Sequence, residues 1–210
     1  GPGQVVGVRM AMLGCRLIGL NDPTRRDQIK KLLVYVEMDR CTADAVAHVT
    51  GVKLGRRSLK FMDYGIMAAT FVNLENGKSI RVLSTEEARS LSAVYAPDVE
   101  GKSAQQLAAY KRMPDSVLFQ VQKVQVKIDE CDLPGPTRRK VVCSSCGQTV
   151  RDRREVVKAG QVFCKPCTDR CYFSHAREIA WPGMNWTPQP EAETSAGETD
   201  RHGHKLLNIH

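Results

Sequence analysis

The sequence predicts an α+β fold. Apolar residues recur at helical spacing in some segments and at strand spacing in others, in the order helix, strand, helix, three strands, helices, strand. That order is typical of a mixed β-sheet packed with helices. Two Cys-x2-Cys pairs follow it, with the spacing of a structural zinc site. We therefore predict a mixed-sheet domain followed by a small zinc ribbon.

Four segments have the periodicity and the end signals of helices. Near the end of the first, Gly19 precedes the polar Asn21-Asp-Pro, and the second ends at Thr50-Gly51, where glycine can cap a helix C-terminus. Thr85-Glu-Glu supplies a capping hydroxyl and an acidic first turn for the third. We predict helices over residues 4–20, 41–49, from 85 onward and 103–112.

Five segments have the composition of strands. Leu-Leu-Val-Tyr-Val, within residues 31–38, is a continuous apolar run typical of a buried strand. Asn76-Gly77 is a strong hairpin signal, because both residues accept positive φ. We predict strands over residues 31–38, 58–63, 67–74, 79–83 and 117–128.

Composition divides the chain into three parts. Pro134-Gly-Pro136 and the basic run after it are typical of a linker. From Trp181 the chain is polar and rich in Pro, Glu and Thr, a composition that does not build a core. We predict a metal-binding α+β domain over 1–135, a zinc ribbon over 136–180 and a polar, histidine-containing tail over 181–210.

Four cysteines carry the ribbon prediction. Cys143 and Cys146 form one pair, Cys164 and Cys167 the other, and seventeen residues separate the pairs. Gly147 allows a tight turn after the first pair, and residues 155–163 suit two short strands that turn near Ala159-Gly160. Four thiolates fill the tetrahedral shell of zinc, so the site is structural. The alternative is two disulfides, which need an oxidising compartment.

Net charge of +8 on 210 residues is moderate. The basic residues of the chain are scattered, apart from clusters such as 138–140 and 151–154. Nucleic acid is therefore not expected as a partner. No run of eighteen apolar residues and no signal peptide occurs, so we expect no membrane association. Eight cysteines, four of them in metal spacing, suit the reducing cytoplasm.

A second metal site is a candidate on the second predicted helix. Cys41, Asp44 and His48 stand at i, i+3 and i+7, on one helix face, and all three residue types bind zinc. From spacing alone the alternative is favoured: a buried core cysteine, an aspartate in an ion pair and a surface histidine.

Motifs along residues 2–130 resemble those of the FmdE family, which takes its name from formylmethanofuran dehydrogenase. They comprise the segment from Pro2 to Met10, Arg40-Cys-Thr-Ala-Asp-Ala45 with Thr50-Gly51, Leu54-Gly-Arg-Arg-Ser-Leu59 and Asp63-Tyr-Gly65. The cysteine module is similar to a zinc finger of the DksA/TraR kind, appended as in some members. The family's opening His-Gly-His-x-Cys string is absent, and Gly1 stands where its cysteine would be.

The resemblance implies a homodimer that holds a metal ion, commonly zinc, on ligands from the opening motif and the Cys-x-x-Asp-Ala helix. Here those ligands are Cys41 and Asp44, with a second divalent metal between them. His202 and His204 form a His-Gly-His string in the tail, and we hypothesise that they replace the missing imidazoles. The alternative is a mobile tail with exposed histidines.

Arg9 is a candidate anion contact or a structural ion pair, and Tyr64 a candidate ligand contact or a packing residue.

The expected function is therefore that of a metal-binding protein of the FmdE type. Its role would be accessory or enzymatic in anaerobic one-carbon or molybdenum/tungsten-linked metabolism, with a small-molecule ligand or a larger oxidoreductase complex as partner. Two alternatives remain: a zinc ribbon that binds nucleic acid or RNA polymerase, and a scaffold protein without chemistry of its own.

Overall fold

The structure, a computed structural model, describes residues 1–177. It divides into two compact units, with the boundary between Thr137 and Arg138. The predicted tail over 181–210, with His202 and His204, lies outside the described residues. No helix within residues 1–177 is long and apolar enough to cross a membrane.

The first unit contains seven α-helices within the described residues. The first begins earlier than predicted, because Pro2 suits the first turn, where a backbone N–H has no helical acceptor. It also ends earlier: Leu20 N–H donates to Cys15 O at 2.9 Å and closes the helix in a Schellman-type turn. The helices are α1 (Pro2–Leu17), α2 (Arg26–Ile29), α3 (Cys41–Thr50), α4 (Glu86–Ser90), α5 (Ser92–Tyr95), α6 (Lys102–Arg112) and α7 (Asp115–Leu118).

A five-stranded mixed sheet supports these helices, as predicted. Its strands are β1 (Leu32–Val36), β2 (Leu59–Phe61), β3 (Ala68–Asn73), β4 (Ser79–Ser84) and β5 (Phe119–Lys123). They lie in the order β2-β1-β3-β4-β5, with β1 and β2 parallel and the other neighbours antiparallel. The α+β class with a mixed sheet is confirmed.

Three local predictions need correction. The strand expected over 117–128 is shorter, because Asp115–Leu118 form a helical turn and the ladder ends at Lys123. The helix opened by Thr85 is two short helices, although Thr85 Oγ1 does accept a hydrogen bond from Ala88 N–H at 3.4 Å. In the β3–β4 hairpin only Gly77 has positive φ, because the connection is longer than a two-residue turn.

The core lies between α1, α3 and one face of the sheet. Its side chains include Met10, Val46 and Phe71, which are almost fully buried. Glycine permits the close contacts of α1: a Cβ at Gly7 would lie 2.5 Å from Thr42 O, and one at Gly14 would lie 2.2 Å from the Phe71 ring. Cys15 belongs to this core, and burial raises the pKa of its thiol to about 12.

Gly14→Ala should destabilise the first unit by about 2 kcal/mol, because the added methyl overlaps a ring that is fully buried and cannot move aside. Gly3→Ala is the matched control on the same helix, since its methyl would meet nothing closer than 3.6 Å. Urea unfolding followed by the helical circular dichroism signal measures both. Equal stability of the two variants would contradict this packing.

Within residues 138–177, the strands of the second unit form two small hairpins. Strands β6 (Lys140–Val142) and β7 (Thr149–Arg151) form the first, and β8 (Val156–Lys158) and β9 (Gln161–Phe163) form the second. The second hairpin agrees with the prediction, with its turn at Ala159 and Gly160, both at positive φ. The first hairpin was not predicted.

Candidate metal centre

The first cysteine pair lies in the turn that joins β6 to β7. Cys143 N–H donates to Gln148 O at 2.9 Å, and Gly147 N–H donates to Cys143 O at 3.0 Å. Gly147 has a φ of 73°, which glycine adopts without steric cost. The predicted tight turn after Cys146 is therefore present, and it brings both thiols of the pair to one side.

The second cysteine pair follows β9. Cys167 N–H donates to Cys164 O at 3.1 Å, in a short 3₁₀ turn over Lys165–Cys167. Ser144 N–H donates to Val162 O at 2.8 Å and joins the two hairpins. The two turns thus face each other.

The four predicted sulfur atoms meet in one cluster. Sγ of Cys143, Cys146, Cys164 and Cys167 all lie within 4.8 Å of one another. Zinc–sulfur bonds of about 2.3 Å in a tetrahedron would place the sulfurs about 3.8 Å apart, and Cys146 Sγ lies 3.7 Å from Cys164 Sγ. The cluster therefore fits a tetrahedral metal ion.

Disulfides do not account for the cluster. All eight cysteines of the chain are free thiols, and the 3.7 Å between Cys146 and Cys164 is far longer than a sulfur–sulfur bond of about 2.0 Å. Cys171 Sγ instead donates to Phe173 O at 3.0 Å and is not part of the cluster. Four unbonded sulfurs within 4.8 Å of one another suit a metal ion.

Local electrostatics prepare one thiol for ionisation. Hydrogen bonds from the backbone at Cys164 and Cys146 lower the pKa of Cys143 to about 6. Burial raises the pKa of Cys164 to about 12. A bound metal ion would reverse the second effect, because its charge favours the thiolate.

The second predicted site, on α3, has fewer candidate ligands among the described residues than the four-cysteine cluster has. Cys41, Asp44 and His48 are exposed along α3. The start of α1 lies beside them: Thr42 Oγ1 donates to Gly3 O at 3.0 Å. Among residues 1–177, the four-cysteine cluster is the only group of three or more candidate ligands, so Cys41 and Asp44 stay a prediction that needs ligands from elsewhere.

Arg9 and Tyr64 have different surroundings. The Arg9 guanidinium donates to Tyr110 O at 2.7 Å, to Met113 O at 2.5 Å and to Asp115 Oδ1 at 2.6 Å. It thereby satisfies backbone carbonyls at the C-terminal end of α6. Its contact with Asp115 is an ion pair, which was the alternative to an anion contact. Tyr64 is 61% exposed.

Sequence reasoning missed one buried polar network. Arg81 donates to both carboxylate oxygens of Glu37 at 2.7 Å, and also to Gln122 Oε1 at 2.8 Å. The hydrogen bond to Glu37 raises the pKa of Arg81, and Glu37 is only 5% exposed. The sequence does contain a signal for this network, because Glu37 follows one apolar strand run and Arg81 lies within another. Nothing in the sequence, however, shows that these two residues form a pair.

Fold and cluster together define an α+β protein with a four-cysteine candidate metal centre. The chain belongs to the FmdE family: the family model described as "FmdE, Molybdenum formylmethanofuran dehydrogenase operon" matches residues 1–125. The resemblance in the motifs is thus confirmed for the first unit.

Two known proteins are similar to the chain. A curated protein of Archaeoglobus fulgidus, named "Probable S-adenosyl-L-methionine-binding protein", is 24% identical over 193 residues, which cover 85% of this chain. The chain spans about half, 52%, of that relative's length. A crystal structure of a tungsten formylmethanofuran dehydrogenase FmdE-like protein from Syntrophus aciditrophicus aligns with a TM-score of 0.54 at 17% identity. It covers 82% of this chain and 86% of its own, and at this identity it supports the fold alone.

Proposed function

We propose that this chain is a zinc-binding protein of the FmdE type in which Cys143, Cys146, Cys164 and Cys167 hold a structural zinc. One observation carries the proposal: four sulfurs lie within 4.8 Å of one another, at the ends of two hairpins. Sulfur ligands in a tetrahedral set favour zinc over harder divalent ions. The two knuckle turns support a zinc ribbon, which we assign to the DksA/TraR kind.

A second divalent metal near Cys41 extends the proposal. Thiolate and carboxylate from Cys41 and Asp44 suit zinc, and a site with few protein ligands leaves room for water or substrate. The contact between Thr42 and Gly3 supports it, because this contact keeps the start of α1 beside the proposed ligands. His202 and His204 are the imidazoles that we propose for the remaining positions.

In metabolism we propose an accessory or enzymatic role in anaerobic one-carbon or molybdenum/tungsten-linked chemistry, in the cytoplasm. The family description, linked by name to formylmethanofuran dehydrogenase, supports it. A homodimer, alone or within a larger oxidoreductase complex, is the proposed assembly. The name of the Archaeoglobus relative adds S-adenosyl-L-methionine to the small molecules that a ligand screen should include.

Metal content per chain tests both sites. Elemental analysis of protein purified without added metal should find two metal ions in the full chain and one in Cys41→Ala. Cys171→Ala is the matched control, because this cysteine is outside the cluster, and it should retain both ions. One zinc in all three proteins would reject the second site, and none in any of them would reject the ribbon zinc as well.

A further inference from the structure

Residues 138–177, the described part of the second unit, carry most of the net positive charge of residues 1–177. Residues 138–177 contain ten Lys and Arg but three Asp and Glu, whereas residues 1–137 contain nineteen and fifteen. All ten basic residues of this segment are exposed. A net charge of +7 on forty residues would still be +5 after binding of a zinc ion by four thiolates.

Two of the three acidic residues of the same segment point inward. Asp152 is 6% exposed, and its Oδ1 accepts hydrogen bonds from the backbone N–H groups of Arg138 at 2.8 Å and Arg139 at 3.3 Å. The side chain of Glu155 is 8% exposed and accepts from Arg139 at 3.1 Å. Within 138–177 only Asp169 is an exposed carboxylate, so the exposed charges of this segment are almost all positive.

Strand pairing concentrates this charge on the first hairpin. Lys140 of β6 lies directly opposite Arg151 of β7 in the antiparallel register. Arg138 and Arg153 flank the pair, and we call these four residues together the basic hairpin. Like charges directly opposite each other destabilise a sheet. The pair therefore weakens the fold on its own, and a polyanion bound across it would relieve the repulsion.

We propose that the basic hairpin binds the phosphate backbone of single-stranded nucleic acid. Seven of the ten exposed cations are arginines, whose planar guanidinium groups match phosphate oxygens in pairs. An acidic protein partner is less suited, because protein interfaces depend on an apolar centre depleted of charge. This inference goes beyond the proposed zinc role, and it departs from the sequence-based expectation because the pairing of Lys140 with Arg151 is a property of the fold.

An exposed aromatic ring in the same unit favours a single strand over a duplex. Tyr172 is 97% exposed, and its ring meets Phe173 edge-on at 5.2 Å between centroids. Unpaired bases stack on such rings, whereas bases in a duplex are covered by their neighbours. Cations for the backbone together with a ring for the bases are the usual elements of single-strand binding.

Fluorescence anisotropy tests the proposal. The protein is the full chain, with the metal content that it has after purification. The probes are oligo(dT) and oligo(U) of about 20 nucleotides and a duplex of equal length, titrated between about 50 and 200 mM salt. We expect binding to the single strands, with a logarithmic salt slope of about −3 for four phosphate contacts. Lys140→Ser/Arg151→Ser should weaken binding about tenfold or more and reduce the slope to about half of that value.

Two controls separate a local site from bulk charge. Lys78→Ser/Lys102→Ser removes the same charge from exposed positions of the first unit and should change affinity less than about twofold. Tyr172→Ala should weaken binding to single strands while the salt slope is unchanged. Equal losses in the two double variants, absence of salt-dependent binding, tighter binding to the duplex, or preference for anionic vesicles or a polyglutamate peptide would each overturn the proposal.

Discussion

Replacing Cys164 with serine should abolish zinc retention and unfold the hairpin unit while the helical unit stays folded. Among residues 138–177 only Cys143, Asp152 and Cys164 are buried, so this segment has almost no apolar core of its own. In small metal-bound domains the binding free energy, about 10–16 kcal/mol for structural zinc, is also the folding free energy. Removal of one ligand from the buried side of the cluster should therefore remove most of the stability of this unit.

Zinc content and amide NMR spectra measure the two effects in one sample. Resonances of residues 138–177 should collapse to narrow dispersion in Cys164→Ser, and those of α1 and the five-stranded sheet should be unchanged. Cys171→Ser is the matched control, because its thiol contacts Phe173 O and not the cluster. Dispersed hairpin resonances in zinc-free Cys164→Ser would show that the hairpins fold without a metal ion.

Glu37→Ala should destabilise the first unit by about 3 kcal/mol. The substitution leaves the Arg81 guanidinium, whose side chain is 21% exposed, without its carboxylate partner. Removal of one member of a buried pair typically costs about 3–5 kcal/mol, because the remaining charge is desolvated and unpaired. We expect the lower part of that range, since Arg81 keeps its hydrogen bond to Gln122 and some contact with water.

Urea unfolding followed by the helical signal measures this loss, since every helix of four or more residues within 1–177 belongs to the first unit. The double variant Glu37→Met/Arg81→Met should recover much of the stability, because it leaves no buried charge behind. Asp98→Ala, which breaks the exposed pair with Arg112, is the matched control and should have little effect. If Glu37→Ala unfolded no more easily than Asp98→Ala, the buried pair would not stabilise the sheet.

Local patterns predicted the elements of the fold well. The helix over Cys41–Thr50 with its glycine end, the strands of the mixed sheet and the turn at Ala159-Gly160 all follow from periodicity and turn chemistry. Spacing also predicted the cysteine cluster, because two Cys-x2-Cys turns have few ways to present four sulfurs. Helix ends and the last strand were less accurate, since propensities there are weak and tertiary contacts decide.

Long-range partners were not predictable from the sequence. Arg9 binds Asp115, 106 positions away, and Glu37 binds Arg81 across an intervening strand, β3. Both pairings depend on strand order and on helix placement, which a single sequence does not specify. The like-charge pair Lys140–Arg151 was missed for a related reason: it follows from the register of strands only three residues long.

X-ray absorption at the zinc edge of the purified full chain tests the central claim most directly. A structural zinc held by Cys143, Cys146, Cys164 and Cys167 requires four sulfur neighbours at about 2.3 Å in every occupied ribbon site. Comparison of the full chain with Cys41→Ala isolates that site from any metal near α3. We predict an all-sulfur shell at full occupancy in Cys41→Ala. A shell that contains oxygen or nitrogen in that variant, or no zinc at all, would contradict the assignment.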